Sequence, residues 1–144
     1  MREEDRNALI KYRPDSARER LDSAKLLLDD GKYKDSISRS YYAMFTSVRA
    51  LLAKEGIDFA RHSSVISYFQ KEYIKDKKLD VKYSKYLSKA FQIRNNADYN
   101  DFYIASKQDA DTQYKRAKEF HEAIFDYINE TKPIEDTDGQ VFRT

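Results

Sequence analysis

The chain is 144 residues long and carries 27 lysines and arginines against 25 acidic residues, for a formal net charge of +2. That length suits one domain with an unaided core, and the near balance of charge excludes a general polycation. Disulfides, thiolate catalysis and cysteine-based metal sites are excluded too, because the chain has no cysteine.

Three glycines and two prolines, with charged residues at 36%, point to long helices joined by short connections. Pro14 suits a helix start, and Ala17, Leu21, Ala24 and Leu28 then recur on one face until Asp29-Asp30-Gly31 supplies a stop. A second helix is predicted from near Lys34 to Glu55, with Ile37, Tyr41, Phe45, Val48 and Leu52 as its apolar stripe and Gly56 as its C-cap. Ser36, Ser40, Ala43, Ser47 and Ala50 form a second stripe, of small residues, along which another helix can approach closely. A third helix, short and aromatic, is predicted from Ser63 or Ser64 to about Ile74. Between Lys71 and Lys89, seven lysines stand against Glu72, Asp76 and Asp80; a solvated face explains this run better than a phosphate contact does. A fourth helix carries Tyr83, Tyr86, Leu87, Ala90, Phe91 and Ile93 toward Arg94, where two successive asparagines are expected to loosen the regular turn. Ser106-Lys107-Gln108-Asp109 reads as a capping box with Asp in the last position, opening a final helix to about Glu130 whose inner face is Ala110, Tyr114, Ala117, His121, Ile124 and Ile128.

The expected fold is all-α: an antiparallel four-helix up-and-down bundle with an additional short helix over residues 1–130, then a flexible tail at 131–144. The charged start, Met1-Arg2-Glu3-Glu4-Asp5-Arg6, precedes no apolar run of signal-peptide or membrane-span length, so a soluble, cytoplasmic protein is expected. His62 and His121 share no spacing that places two ligands on one helical face, and no glycine-rich nucleotide loop or nucleophile elbow is present. Neither a metal nor a cofactor is expected.

Two clusters are not explained by helix stability: Tyr33-Lys-Asp-Ser-Ile-Ser-Arg-Ser-Tyr-Tyr-Ala-Met-Phe45, and Arg94-Asn95-Asn96-Ala97-Asp98-Tyr99. With the helix end at Leu51-Leu52-Ala53-Lys54-Glu55-Gly56 and with His62, they make the chain resemble the HEPN family from roughly Arg18 through Tyr127. These are small helical-bundle proteins of prokaryotes whose genes often neighbour a minimal nucleotidyltransferase. The resemblance implies a homodimer in which the arginine motif of each chain faces a cleft near the two-fold axis. In active family members that cleft cuts RNA without a metal, using an arginine, a polar residue after it, and a histidine four to six intervening residues later. Arg94-Asn95 matches the first half, but Tyr99, Asn100 and Asp101 stand where the histidine would fall. Metal-free cleavage needs a proton acceptor and a proton donor, and a guanidinium is too basic to serve readily as either. Asp98 or His62 can replace the histidine only if folding brings it near Arg94. In toxin-like members a tyrosine near the arginine motif is adenylylated by the partner nucleotidyltransferase, which makes Tyr99 a candidate modification site.

Each candidate has a plainer reading. Arg94 and Asp98 are four apart and form an ordinary ion pair if the helix continues, whereas a guanidinium beside Asn95 also suits a phosphate or an acidic partner. Arg39, between the small-residue stripe and two tyrosines, is either a cleft contact or a surface cation. His62 reads as a helix-start residue or a ligand contact, His121 as inner-face packing, and Tyr41 and Tyr42 as core aromatics with at least one buried. Three functions follow: an RNA- or nucleotide-binding component of a toxin–antitoxin or stress-defence module, with endoribonuclease activity if Asp98 or His62 replaces the histidine; a non-catalytic docking or regulatory subunit of a nucleotidyltransferase; and a metabolite-binding bundle.

Overall fold

The computed structural model describes residues 2–131, and beyond them the backbone of residues 134–135 and 141–142. Five α-helices, α1 (Glu3–Asp29), α2 (Tyr33–Lys54), α3 (His62–Phe69), α4 (Val81–Tyr99) and α5 (Lys107–Glu130), form the expected all-α bundle. Among the described residues no helix is long and apolar enough to cross a membrane. Most of the 131–144 tail lies outside the described residues; the backbone of Ile134–Glu135 pairs antiparallel with that of Val141–Phe142.

Helix α2 is the centre of the bundle, packed by α1, α4 and α5. Both of its predicted stripes are buried, Ile37, Tyr41, Phe45, Val48 and Leu52 on the apolar side and Ser36, Ser40, Ala43, Ser47 and Ala50 on the small side. The small stripe admits α1 so closely that Ser36 Oγ donates to the carbonyl of Ala24 at 2.7 Å. Both helices end at glycines with φ of +76°. Lys32 N–H returns to the Leu27 carbonyl and Ile57 N–H to the Leu52 carbonyl, the Schellman arrangement that a left-handed residue permits.

Helix α1 starts at Glu3, and Pro14 lies inside it rather than opening it. The proline cannot donate to the carbonyl of Ile10, a local cost that tertiary bonds offset. Arg6 donates to the carbonyl of Lys54, and Arg13 Nη1 to the carbonyl of Arg49 at 3.0 Å, fastening the first half of α1 along α2. The third segment covers the expected stretch, but its second half, Gln70–Ile74, is a π turn. That wider turn buries Tyr73, whose hydroxyl donates to Glu55 at the end of α2.

The turn expected to loosen at Arg94 does not, and α4 runs regularly through both asparagines to Tyr99. Asn95 Oδ1 accepts a hydrogen bond from Arg94 Nη1, so it does not compete for the helix backbone, and Ala97 anchors the turn in a core cluster with Leu28, Ile37 and Ala110. Asp80 starts α4 by accepting from Lys82 N–H at 2.9 Å. Ser106 starts α5 as predicted, its Oγ accepting from Asp109 N–H at 3.0 Å.

Candidate functional site

On α4, Leu87, Ala90 and Ala97 face the core, and Arg94, one turn beyond Ala90, leans onto α2 where Tyr41 and Tyr42 meet edge to face. Tyr41 is wholly buried and Tyr42 half-buried. Arg94 Nη2 donates to the Tyr42 hydroxyl at 2.7 Å, and Nη1 to Asn95 Oδ1 at 3.2 Å. Its Nε lies 2.9 Å from Asp98 Oδ2, an ion pair across one helical turn rather than an aligned hydrogen bond. The guanidinium carbon also sits 5.7, 5.2 and 5.7 Å from the ring centres of Tyr41, Tyr42 and Tyr99, within cation–π range of all three. Only 15% of the Arg94 side chain is exposed, so this charge is held in a shaped, partly dry setting.

His62, the first residue of α3, comes to the same tyrosines from the other side. Its Nδ1 is 2.9 Å from the Tyr41 hydroxyl, its ring stacks on Phe45 with centroids 4.0 Å apart, and it meets Tyr42 edge-on. Burial holds the imidazole below its ordinary pKa, and the charges of Arg94 and Arg49 add to the effect. Burial likewise pushes the Tyr41 hydroxyl well above its ordinary value, with Arg94 opposing, so it stays protonated. Tyr41 has no second hydrogen-bond partner among the described residues; its proton therefore goes to Nδ1 and the imidazole proton stays on Nε2.

The connection that delivers His62 is itself clamped. Asp58 Oδ1 accepts from Arg49 Nη2 at 2.8 Å and from Arg13 Nη2 at 3.1 Å, tying the segment after α2 to both α1 and α2. Burial opposes ionisation of Asp58, but hydrogen bonds and charge from the two arginines outweigh it and keep the carboxyl below its usual range.

The structure thus brings together Arg94, Asn95, Asp98, His62 and Tyr99, while Arg39 lies apart. Arg39 is exposed and lines a shallow groove with Tyr12, Glu19 and Arg20, on the α1 side of α2. Tyr99 is 76% exposed at the end of α4, next to the exposed Phe102 and Ile104. His121 is buried on α5 against Phe125, as its inner-face position predicts. Tyr42 was legible only as a core aromatic, although it sits one residue off the apolar stripe, the position from which a polar tip reaches a groove. Arg13, Arg49 and Asp58 carried no sequence signal, since their link spans α1, α2 and a loop.

The donors of this site are not all used within it. With Asn95 Oδ1 engaged by Arg94, the amide nitrogen is left to donate, and the Tyr42 hydroxyl accepts from Arg94 while keeping its own proton. A guanidinium, an amide and a phenol with donors to spare supply the chemistry of an oxyanion-binding set, which Asp98 both orients and partly neutralises. The family model for the HEPN domain matches residues 10–128, a span that includes this site and reaches from within α1 to within α5. The chain belongs to the HEPN domain family. Its relatives include a UPF0332 protein of Thermotoga maritima, 32% identical over 128 residues, with 89% of this chain and 97% of that one covered. A protein of Methanocaldococcus jannaschii named “Putative toxin” is 35% identical over 97 residues, covering 67% of this chain and 66% of its own. A UPF0332 protein of Pyrococcus horikoshii is 47% identical over 70 residues, 49% of each chain.

Proposed function

We propose that this HEPN protein is the RNA- or nucleotide-binding component of a toxin–antitoxin or stress-defence module, working as a homodimer with a nucleotidyltransferase partner. The observation that carries this reading is the Arg94 guanidinium, fixed by Tyr42, Asn95 and Asp98 with an N–H on each Nη left over, a fork that suits the oxygens of a phosphate group. The toxin designation of two relatives supports the module. Binding is favoured over cleavage because Asp98 is committed to Arg94 and the histidine that ordinarily follows the arginine is replaced by Tyr99, Asn100 and Asp101.

The test is the binding of a short single-stranded oligoribonucleotide at several salt concentrations, in EDTA, with intact-mass checks of both partners. Wild type should bind saturably and more weakly as salt rises, and Arg94→Ala should lose about tenfold or more. Equal binding by the two proteins would remove Arg94 from the function. Cleavage in EDTA that is lost with Arg94→Ala would make the protein a metal-independent endoribonuclease.

A second reading, a docking or regulatory subunit of the nucleotidyltransferase, is favoured by Tyr99. Its ring is exposed at the mouth of the site and lies under the Arg94 guanidinium. Transfer of AMP from ATP to the Tyr99 hydroxyl, with release of pyrophosphate, would place a charged nucleotide over the donor set and fill it. Mass spectrometry after incubation with the partner and ATP checks this, and an unmodified Tyr99 would eliminate it.

A further inference from the structure

His62 has the placement of a structural histidine on one edge and of a ligand contact on the other. Its Nδ1 edge is fully engaged, bonded to Tyr41 and packed between Phe45 and Tyr42. Its Nε2 edge has no hydrogen-bond partner among the described residues, although the ring is held from three sides. A histidine recruited only to satisfy Tyr41 would not need the Asp58 clamp that fastens the preceding loop to Arg13 and Arg49. That clamp sets the ring at the same tyrosine pair that Arg94 contacts from α4.

We infer that His62 is the imidazole of the Arg94 site, donating through Nε2 to an oxygen of the phosphoryl group that Arg94 binds. The inference rests on the phosphate-binding reading above and adds a residue from a different helix to it. The family pattern puts its histidine shortly after the arginine in sequence; here the imidazole reaches the arginine through the tertiary structure. The ligand class is a phosphomonoester or phosphodiester.

The surroundings determine how the group responds. The rings facing His62 are Tyr41, Tyr42 and Phe45 on α2, and the charges that act on it are Arg94 on α4 and Arg49 on α2, each paired to an aspartate. With Asp98 paired to Arg94 and Asp58 shared by two arginines, the local charge around the ring is positive, which favours neutral imidazole. A phosphate drawn to Arg94 reverses the sign of that field and strengthens the Nε2–H donor.

The chain contains two histidines, so imidazole signals from ¹⁵N-labelled protein are few, and His121→Gln assigns them. The experiment titrates a six-nucleotide oligouridylate into wild type, Arg94→Ala, His62→Gln and Tyr41→Phe, following affinity and the two imidazoles. The expected result is a shift of the His62 Nε2 resonance with His121 unmoved, abolition of that shift in Arg94→Ala, and about tenfold weaker binding by His62→Gln with an unchanged salt dependence. Binding that depends on Arg94 while the His62 signal stays still and His62→Gln binds normally would overturn the inference and leave the phosphate-binding reading standing. No binding by folded wild type would overturn both. The wild-type spectrum decides the question even if a variant fails to fold.

Discussion

Arg13 and Arg94 are both arginines paired to an aspartate against the flank of α2, yet their remaining donors go to different places. Arg13 is 6% exposed at its side chain and directs Nη1 to the carbonyl of Arg49 and Nη2 to Asp58. Its partners are a backbone group and a loop carboxylate, and the result is a fastening between α1, α2 and the loop to α3. Arg94 is held by Tyr42, Asn95 and Asp98, side chains that keep further protons or lone pairs of their own. A buried arginine bonded to backbone holds a fold together; one framed by polar side chains keeps N–H groups to spare.

The comparison is open to direct attack. Arg13→Ala should have the largest effect, lowering the unfolding free energy by about 2–3 kcal/mol in urea denaturation, because it strips a partner from the Arg49 carbonyl and from Asp58. Arg94→Ala should stay within about 1 kcal/mol of wild type in the same experiment while losing oligoribonucleotide binding. If the two variants were equally unstable, the distinction between a fastening and a site would collapse. Tyr42→Phe removes only the hydroxyl that accepts from Arg94, and should weaken binding by about threefold to tenfold with little change in stability.

Acidification sharpens the contrast further. His62 and His121 are both held below the ordinary value of 6.5, first by burial, with Arg94 and Arg49 acting on His62 and Arg18 on His121. The unfolded chain therefore takes up protons before the folded one. Their contribution to stability is full above 6.5 and is lost as pH falls through the lowered folded values. Denaturation midpoints should fall between neutral pH and about pH 5, less steeply in His121→Gln. A second loss should follow below the ordinary carboxyl value of 3.8 as Asp58 is protonated and the Arg13 fastening releases. The smallest effect belongs to Arg39→Ala, which should change binding by less than about twofold, since Arg39 is an exposed cation that lines the α1 groove.

Much of the bundle was legible because helical periodicity records burial directly. The two stripes of α2, the glycine stops at Gly31 and Gly56 and the Ser106 cap were all readable from local spacing. The start of α1 was misread because Pro14 signals a local preference, whereas bonds from Arg6 and Arg13 to α2 decide the outcome. The asparagines after Arg94 were misread for a related reason: their competition with the backbone disappears once Asn95 has a side-chain partner and Ala97 is buried.

By itself the sequence determined an all-α bundle and the buried faces of its main helices, and it singled out Arg94 as a candidate. Each of those follows from residues close together in the chain, where the period of the helix converts spacing into a shared face. Only the tertiary structure decided that Tyr42 holds the arginine, that Asp58 clamps the loop, that Arg39 lies elsewhere and that His62 reaches Arg94 through Tyr41 and Tyr42. Those contacts join residues from different helices, and packing rather than local spacing sets which of them meet.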